Sequence, residues 1–331
     1  MRVFIAGAGG AVGRRLVPML VARGYEVIGT TTSEKHVETL RALGAEPVVV
    51  DGLDAVGIGE AVARSEPDAI IHQMTALSGT PDFKHFDRWF ALTNQLRTEG
   101  TQNLLAAAKA SGVERFVAQS FTGWSNERTG GWIKTEDDPL DPHPVAEQRE
   151  TLTAIRTLER AVLEAPLDGI VVRYGGLYGP GSSDTLVEIL RKRMFPVIGD
   201  GAGYVSSTHV DDAASGTLAA LERGRRGAIY NIVDDEPAPT RDFIPAIAEA
   251  LGAPKPMRIP AWLGRLFAGD VAVTMMTEGR GSSNAKAKRE LGWEPIWPSW
   301  RDGFRRGLDT PVPLPPPVPT AAGRSAETTA A

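Results

Sequence analysis

The 331-residue sequence contains no cysteine, which excludes disulfides and thiolate metal sites. Its five histidines have no spacing with acids that resembles a metal site, so we predict none. A formal net charge of −5 argues against a nucleic-acid partner. No apolar run is long enough to span a membrane, and the short N-terminal run is broken by glycines and by Arg14 and Arg15, which we assign to the solvent face of a helix. We therefore expect a cytoplasmic protein without a membrane partner.

A glycine-rich turn follows the first apolar stretch. Val3–Ala6 reads as a buried strand, and Gly7–Gly13 leads from it into a helical pattern. Gly7 allows a sharp exit from the strand, Gly10 leaves room for a pyrophosphate, and Gly13 lets the helix lie close to the sheet. This arrangement predicts a dinucleotide site lined by Gly7, Gly10, Ala11, Val12 and Gly13.

Strand and helix patterns then alternate along the chain, which predicts an α/β fold with a Rossmann-type, doubly wound parallel sheet. We expect a dinucleotide-binding core over 1–175 and a region over 176–310 that completes the sheet and forms a small C-terminal substrate lobe. The proline-rich, low-complexity residues 311–331 are interpreted as a disordered tail. The predicted strands are 3–6, 25–29, 46–50, 68–73, 115–120, 167–174 and 229–232.

The end of the second predicted strand indicates which dinucleotide binds. An NAD site usually places an acid there, whereas this chain has Thr30 and Thr32, with Lys35 at the start of the next helix. Hydroxyls and a lysine can hold a 2′-phosphate, which favours NADP over NAD. The alternative is that Lys35 is a solvated surface residue.

A series of segments follows one another along the chain, namely GAGGAVG, VVVDGLD, DAIIHQM, EGTQNLLAAAKASGVERFVAQS, EDDPLDP, VVRYGGLYGPG, VIGDGAGYVSSTHVDD and NAKAKRELGWEP. Their number and order resemble those of the extended short-chain dehydrogenase/reductase family, also called the NAD-dependent epimerase/dehydratase family. The resemblance covers residues 1 to about 306 and implies a seven-stranded Rossmann domain with a small lobe over the substrate.

The resemblance also implies roles for individual residues. Asp51, followed by Gly52, would meet the adenine, and Gln73, Met74 and Thr75 would pass beside the ribose near the nicotinamide. Tyr174 would lie at the edge of the cofactor site, after the sixth strand. Ser120 matches the serine that hydrogen-bonds a substrate oxygen in this family. A homodimer through two long helices is common in the family and is expected here.

The usual catalytic pair of the family, Tyr-x-x-x-Lys on one helix, is missing. Counting back from Glu159 places Thr151 at the tyrosine position and Ile155 at the lysine position, and none of the five tyrosines has a lysine four residues later. A threonine hydroxyl cannot replace a proton transfer that contributes about a hundred- to ten-thousand-fold. Thr151 would at most orient the substrate.

Two further residues are candidates for the cleft. Tyr178 could serve as an acid, although in this family that tyrosine usually shapes the substrate loop. Arg97 stands where the family often has asparagine; facing the active site it would favour an anionic group, and otherwise it is an exposed helix residue.

We therefore predict an NAD(P)-binding oxidoreductase or epimerase-like enzyme that acts on a small carbonyl or hydroxyl compound with non-standard proton transfer. A lyase or isomerase that uses the cofactor transiently is not separated from net reduction. The competing hypothesis is a non-catalytic NAD(P)-binding sensor.

Overall fold

The structure is a computed structural model that describes residues 1–77 and 79–311. It contains fifteen strands within those ranges. They are β1 (Arg2–Ala6), β2 (Glu26–Thr31), β3 (Ala45–Val49), β4 (Ala69–His72), β5 (Arg115–Phe121), β6 (Ile133–Lys134), β7 (Asp168–Tyr174), β8 (Gly176–Tyr178), β9 (Val197–Ile198), β10 (Tyr204–Val205), β11 (Ser207–His209), β12 (Ile229–Ile232), β13 (Ala238–Pro239), β14 (Arg258–Ile259) and β15 (Gly281–Ser282).

The helices of the same ranges flank or cap these strands. They are α1 (Gly13–Ala22), α2 (Val37–Ala42), α3 (Ala55–Ser65), α4 (Phe86–Trp89), α5 (Ala91–Gln95), α6 (Thr101–Ala110), α7 (Arg149–Glu164), α8 (Asp184–Arg191), α9 (Val210–Arg223), α10 (Thr240–Ala250), α11 (Ala261–Glu278), α12 (Ala285–Leu291) and α13 (Trp300–Arg306). A π-helical turn, Leu96–Gly100, joins α5 to α6, and 3₁₀ turns cover Glu34–His36 and Ala146–Gln148. None of these helices has the length and apolarity needed to cross a bilayer.

Seven strands form one parallel sheet in the order β12-β7-β5-β4-β1-β2-β3. The strands are apolar along their length because helices cover both faces of the sheet. One apolar cluster packs α1 and α9 on one face, and a second packs α3, α6 and α7 on the other. The predicted Rossmann fold is confirmed, and its seventh strand, β12, is reached only after the chain has left the sheet and returned.

A third apolar cluster lies beyond β7 and combines residues between Tyr178 and Phe304. It packs α10, α11 and α13 around Trp300, which is 1% exposed. Helix α11 is broken at Gly269, whose φ of +84° is incompatible with a continuous helix.

The start and end of the described chain meet at Arg15 on α1. This side chain is 2% exposed, so the predicted solvent-facing position is wrong for Arg15, whereas Arg14 is half-buried. Its guanidinium lies 3.4 Å from the Asp211 carboxylate and donates to the carbonyl oxygens of Thr310 (2.6 Å) and Pro311 (2.7 Å). Apart from Pro311, the predicted tail lies outside the described residues.

Polar side chains gather on one face of the sheet near the carboxyl ends of its central strands. His72 is paired in register with Ala118, and Ser120 with Arg173. Because side chains alternate along a strand, His72, Ser120 and Arg173 share the face that packs against α6 and α7. Ligands of open parallel sheets bind at this end.

Candidate functional site

The turn after β1 is shaped by Gly7. Its φ is +90°, and a Cβ there would come within 2.8 Å of the Gln73 carbonyl carbon. The Gly7 N–H donates to the Thr30 hydroxyl at 3.0 Å, and Thr30 is 3% exposed. Thr30 therefore braces the turn from beneath, so its predicted position as a direct cofactor contact is corrected to a supporting one.

Open space lies above Gly10 in this turn. A Cβ on Gly10 would meet only the Gly7 carbonyl oxygen, at 3.4 Å, whereas a Cβ on Gly13 would come within 2.5 Å of the Ala8 carbonyl oxygen. The close approach at Gly13 is thus to the turn itself rather than to the sheet. Helix α1 begins at Gly13 without a side-chain cap, and the N–H groups of residues 14–16 bond carbonyl oxygens of the turn. The N–H groups of residues 11–13 make no hydrogen bond within the described chain, which leaves them available to an anion. These features fit the pyrophosphate of a dinucleotide.

The end of β2 carries hydroxyl and basic groups. The Thr31 hydroxyl lies 3.4 Å from Nδ1 of His36, and His36 covers Gly9 at the rim of the turn. Ser33 caps the following 3₁₀ turn through the Lys35 N–H, and Lys35 itself is exposed. His36 was not singled out from the sequence, although it directly follows Lys35.

Thr32 and Asp51 lie on the same open depression, which has a volume of about 370 Å³ and lies between the end of β3 and α3. Asp51 uses one carboxylate oxygen to accept the Leu53 N–H at 3.0 Å. A side chain on Gly52 would overlap Met74, so the two turns interlock. The structure thus brings the predicted adenine-side residues together.

The segment after β4 is fixed by side chains below it. Gln73 donates from Nε2 to the Tyr174 hydroxyl at 2.8 Å, and that hydroxyl also lies 2.5 Å from Thr217 Oγ1. Burial raises the pKa of Tyr174 to about 12, and its ring is only 2% exposed. Tyr174 therefore positions Gln73, and its place at the edge of the cofactor site stays a prediction. Thr75 is exposed and Met74 is buried.

His72 supports the same segment as a neutral ring. Its Nδ1 accepts the Met74 N–H at 3.1 Å, and its Nε2 lies 3.1 Å from the Thr101 hydroxyl, which itself donates to the Arg97 carbonyl. Complete burial lowers the pKa of His72 to about 4. Protonation would place a charge in the core and break the bond to Met74.

We expect this histidine to make stability depend on pH. Its folded pKa of about 4 lies below its ordinary value of 6.5, so the unfolded chain binds more protons between these values and stability falls as the pH falls. From pH 7 to pH 5 the loss is about 2 kcal/mol. Urea unfolding of wild type and His72→Gln at both pH values measures it. An equal loss in the two proteins would contradict the assignment.

Helix α7 presents the stripe on which the missing catalytic pair would lie. Thr151 and Ile155 are both 0% exposed. The Thr151 hydroxyl donates to Asp87 at 2.6 Å and accepts from Asn94 at 3.1 Å, while Asp87 also accepts the Thr151 N–H at 2.8 Å. Thr151 thus belongs to the cap of α7, so its predicted role in orienting a substrate is not supported.

Ser120 is engaged further along the same helix. Its hydroxyl donates to Glu159 at 2.7 Å, and the two oxygens of Glu159 also accept from Arg173 at 2.7 and 2.6 Å. Both charged side chains of this pair are at least nine-tenths buried. The Ser120 hydroxyl thus joins a buried ion pair, and its contact with a substrate oxygen stays a prediction.

Tyr178 lies in the core of the lobe. It is 2% exposed, its ring stacks on Phe304 at 4.6 Å, and a Cβ on Gly303 would overlap its hydroxyl. Burial raises its pKa well above the usual value, with further increases from Asp234 and Asp212. The predicted acid is wrong because this phenol neither reaches the cleft nor releases a proton readily.

Aromatic side chains lie beside the carboxyl end of β5. Phe86 contacts Phe90 with ring centroids 4.5 Å apart and meets Trp124 edge-on at 5.2 Å, while Phe121 lies 5.5 Å from Trp124. Phe121, Trp124 and Trp89 are half-buried, whereas Phe86 and Phe90 are buried beneath them. We call these five residues the aromatic wall. The sequence reasoning did not find it, although Phe121 and Trp124 directly follow a predicted strand.

Arg97 adjoins this wall from the π-helical turn. It is 7% exposed, so the expectation of an exposed helix residue is wrong, and its guanidinium carbon lies 5.5 Å from the centre of the Phe90 ring. Among the described residues its Nη1 atom is buried without a hydrogen-bond partner. Burial lowers the pKa of Arg97 to about 10, opposed by the attraction of Glu159.

Comparison with known proteins agrees with the geometry of the turn and the sheet. The model of the NAD dependent epimerase/dehydratase family matches residues 3–233. The chain belongs to this family. The predicted resemblance is confirmed, and with it the assignment to NAD(P)-dependent enzymes of the oxidoreductase and epimerase type.

Relatives of this family member carry several activities. A 3-diazoavenalumate denitrifying reductase of Streptomyces is 40% identical over 92% of this chain and 100% of its own length. A 4-hydroxy-2-methyl-3-oxo-4-farnesyl-3,4-dihydroquinoline-1-oxide ketoreductase of Stigmatella aurantiaca is 29% identical over 93% of this chain and 95% of its own. The UDP-glucose 4-epimerase of Thermus thermophilus, solved with NAD, aligns with a TM-score of 0.70 and 26% identity over 93% and 98% of the two chains.

Proposed function

We propose that this protein is an NADPH-dependent reductase whose substrate needs no proton from the protein when it accepts hydride. The observation that carries the proposal is the state of the two catalytic positions on α7. Thr151 is bonded to Asp87, and Ile155 is completely buried. Tyr178 cannot substitute for the missing acid because it is enclosed in the lobe.

The missing acid selects the kind of substrate. A carbonyl that accepts hydride becomes an alkoxide, which requires a proton donor near neutral pH. An arenediazonium cation is neutralised by hydride instead: the carbon–nitrogen bond breaks, a carbon–hydrogen bond forms, and N₂ leaves. Two electrons enter with the hydride, and no proton is required. The name of the Streptomyces relative, a denitrifying reductase of a diazo compound, supports this class of substrate.

Residues in the turn after β1 and at the end of β2 would hold the cofactor. When bound, the reduced nicotinamide supplies the hydride. The N–H groups of residues 11–13 and the space over Gly10 would hold the pyrophosphate, and Gln73 would position the segment beside the nicotinamide ribose. Lys35, Thr31 and His36 would receive a 2′-phosphate, because no acid stands at the end of β2 to repel it.

The aromatic wall would hold the ring of the substrate. The faces of aromatic rings attract cations and stack with flat partners, so a positively charged arene suits this surface. Trp124, Phe121 and Trp89 are its half-buried members, whereas Phe86 and Phe90 are buried.

The test compares substrates under identical conditions. The protein is mixed with NADPH and the diazonium salt of 4-aminobenzoate, and both N₂ release and loss of the reduced-nicotinamide absorbance are measured. We expect equal amounts of the two, and much less oxidation with aromatic ketones or UDP-glucose. The Gly10→Val variant controls for uncatalysed reduction. Turnover of the ketones at rates equal to that of the diazonium salt, or no enzymatic N₂ release, would refute the proposal.

We expect Lys35→Ala to weaken NADPH binding about tenfold, because a charge-assisted bond to a phosphate contributes roughly 1.5–3 kcal/mol and is here solvent-exposed. NADH binding should be almost unchanged because NADH lacks that phosphate. Calorimetric titration with both cofactors measures the difference, and Lys109→Ala, which removes a lysine from α6, serves as the matched control. A uniform weakening of both cofactors would argue against the 2′-phosphate assignment.

A further inference from the structure

A buried cation without a close counter-ion lies at the carboxyl end of the sheet. Arg97 is 7% exposed, and among the described residues its Nη1 atom has no hydrogen-bond partner. Among the described residues Arg97 belongs to no ion pair, so no carboxylate oxygen lies within 4.0 Å of its side-chain nitrogens. A buried charge in this condition is unfavourable unless something pairs with it.

The carboxylate that attracts Arg97 already accepts hydrogen bonds from other residues. Glu159 attracts Arg97, but its two oxygens accept three hydrogen bonds, two from Arg173 and one from Ser120. Glu136 lies within electrostatic range of Arg173, yet it accepts the Asn231 N–H and is not among the groups that affect Arg97. His72, which also lies near Arg97, is neutral. Arg97 therefore has only a shared, distant counter-charge.

The guanidinium of Arg97 adjoins the aromatic wall. It lies against Phe90, and Phe90 is joined through Phe86 to the half-buried Trp124 of the aromatic wall. A planar guanidinium binds a carboxylate with two parallel hydrogen bonds. A flat aromatic compound on the wall would thus bring a carboxylate substituent towards Arg97.

We propose that Arg97 binds a carboxylate of the substrate, so that the enzyme selects aromatic acids over their neutral esters. This inference rests on the proposed function for the kind of ring, but the site is defined by Arg97 and the wall alone. It predicts that the free protein tolerates the loss of the charge, since Arg97 then has no bound anion to pair with.

The probes are trans-cinnamate and methyl cinnamate, which differ in charge at one end of the same ring system. Calorimetry of the full chain in saturating NADP⁺ is expected to show binding of cinnamate and much weaker binding of the ester. Arg97→Met should weaken cinnamate about ten- to a hundredfold and leave the ester unchanged. Arg97→Lys should retain part of the preference. Arg88→Met, which changes an exposed arginine on α4, is the matched control.

Several results would overturn the site. They are the absence of a preference for cinnamate in the wild type, equal weakening of both probes in Arg97→Met, and loss of NADP⁺ binding in that variant. A marked fall in the melting midpoint of ligand-free Arg97→Met would show that the guanidinium holds the fold instead, and would overturn the site as well. Because binding is measured without turnover, selective cinnamate binding with no diazonium reduction would refute the proposed reaction and leave the carboxylate site standing.

Discussion

Gly10→Val is expected to abolish cofactor binding while the protein stays folded. The new side chain would enter the open space over the turn, where the nearest atom is the Gly7 carbonyl oxygen at 3.4 Å. It would therefore fill the volume assigned to the pyrophosphate without overlapping the protein core. We expect the dissociation constant for NADPH to rise by at least about a hundredfold, since the contacts with both phosphates are lost together.

Calorimetry and thermal unfolding test the two parts of this expectation. The melting midpoint without cofactor should change little, and the rise that NADPH gives the wild type should vanish. Gly59→Val on α3 is the matched control, because a Cβ at Gly59 has open space around it and lies away from the turn. If Gly10→Val bound NADPH as tightly as the control, the turn would not be the pyrophosphate site.

Glu159→Gln is expected to cause the largest loss of stability. The carboxylate accepts bonds from Arg173 and Ser120, and the side chains of the pair are 7% and 4% exposed. Removing its charge leaves a buried guanidinium without a counter-ion, which costs about 3–5 kcal/mol. Urea unfolding at pH 7.5 measures the change.

A double variant tests whether the two charges of the pair depend on each other for their effect on stability. Glu159→Leu with Arg173→Met replaces both charges by apolar groups of similar size and is expected to be more stable than Arg173→Met or Glu159→Gln alone. The Asp302–Arg306 pair on α13 is 50% and 70% exposed, and Asp302→Asn should cost under about 1 kcal/mol. Additive losses in the buried pair would mean that its members act independently.

The sheet could be predicted from the sequence because its signals are local. Strands that are buried on both faces read as short apolar runs, and the predicted limits of 115–120 and 229–232 agree with β5 (Arg115–Phe121) and β12 (Ile229–Ile232) to within a residue. The turn after β1 was equally readable because its glycines, strand and helix are contiguous. Thr151, Ile155 and Glu159 follow one another at intervals of four residues and lie on one buried stripe of α7 in the structure.

The contacts of the candidate catalytic side chains could not be predicted, since they are made with residues far away in the sequence. Ser120 donates to Glu159, which lies 39 residues later. Tyr178 is enclosed by Phe304, which belongs to the last helix described. Nothing next to either residue in sequence signals these contacts.

Arg97 is an intermediate case. Thr101, Leu104 and Ala108 are all 0% exposed, and Arg97 precedes Thr101 by four residues, on the same helical face. This face is buried in the structure, so of the two alternatives given for Arg97 the exposed one is wrong, and only the structure shows that Arg97 forms no ion pair with a described carboxylate.

The hydrogen bonds from Arg15 to the carbonyl oxygens of Thr310 and Pro311 have a consequence for how the protein is made. Arg15 holds α1 against the carbonyl oxygens of Thr310 and Pro311, so this helix cannot be fully packed until residue 311 has left the ribosome. Nascent chains shorter than that will thus carry the turn after β1 on an incompletely packed helix.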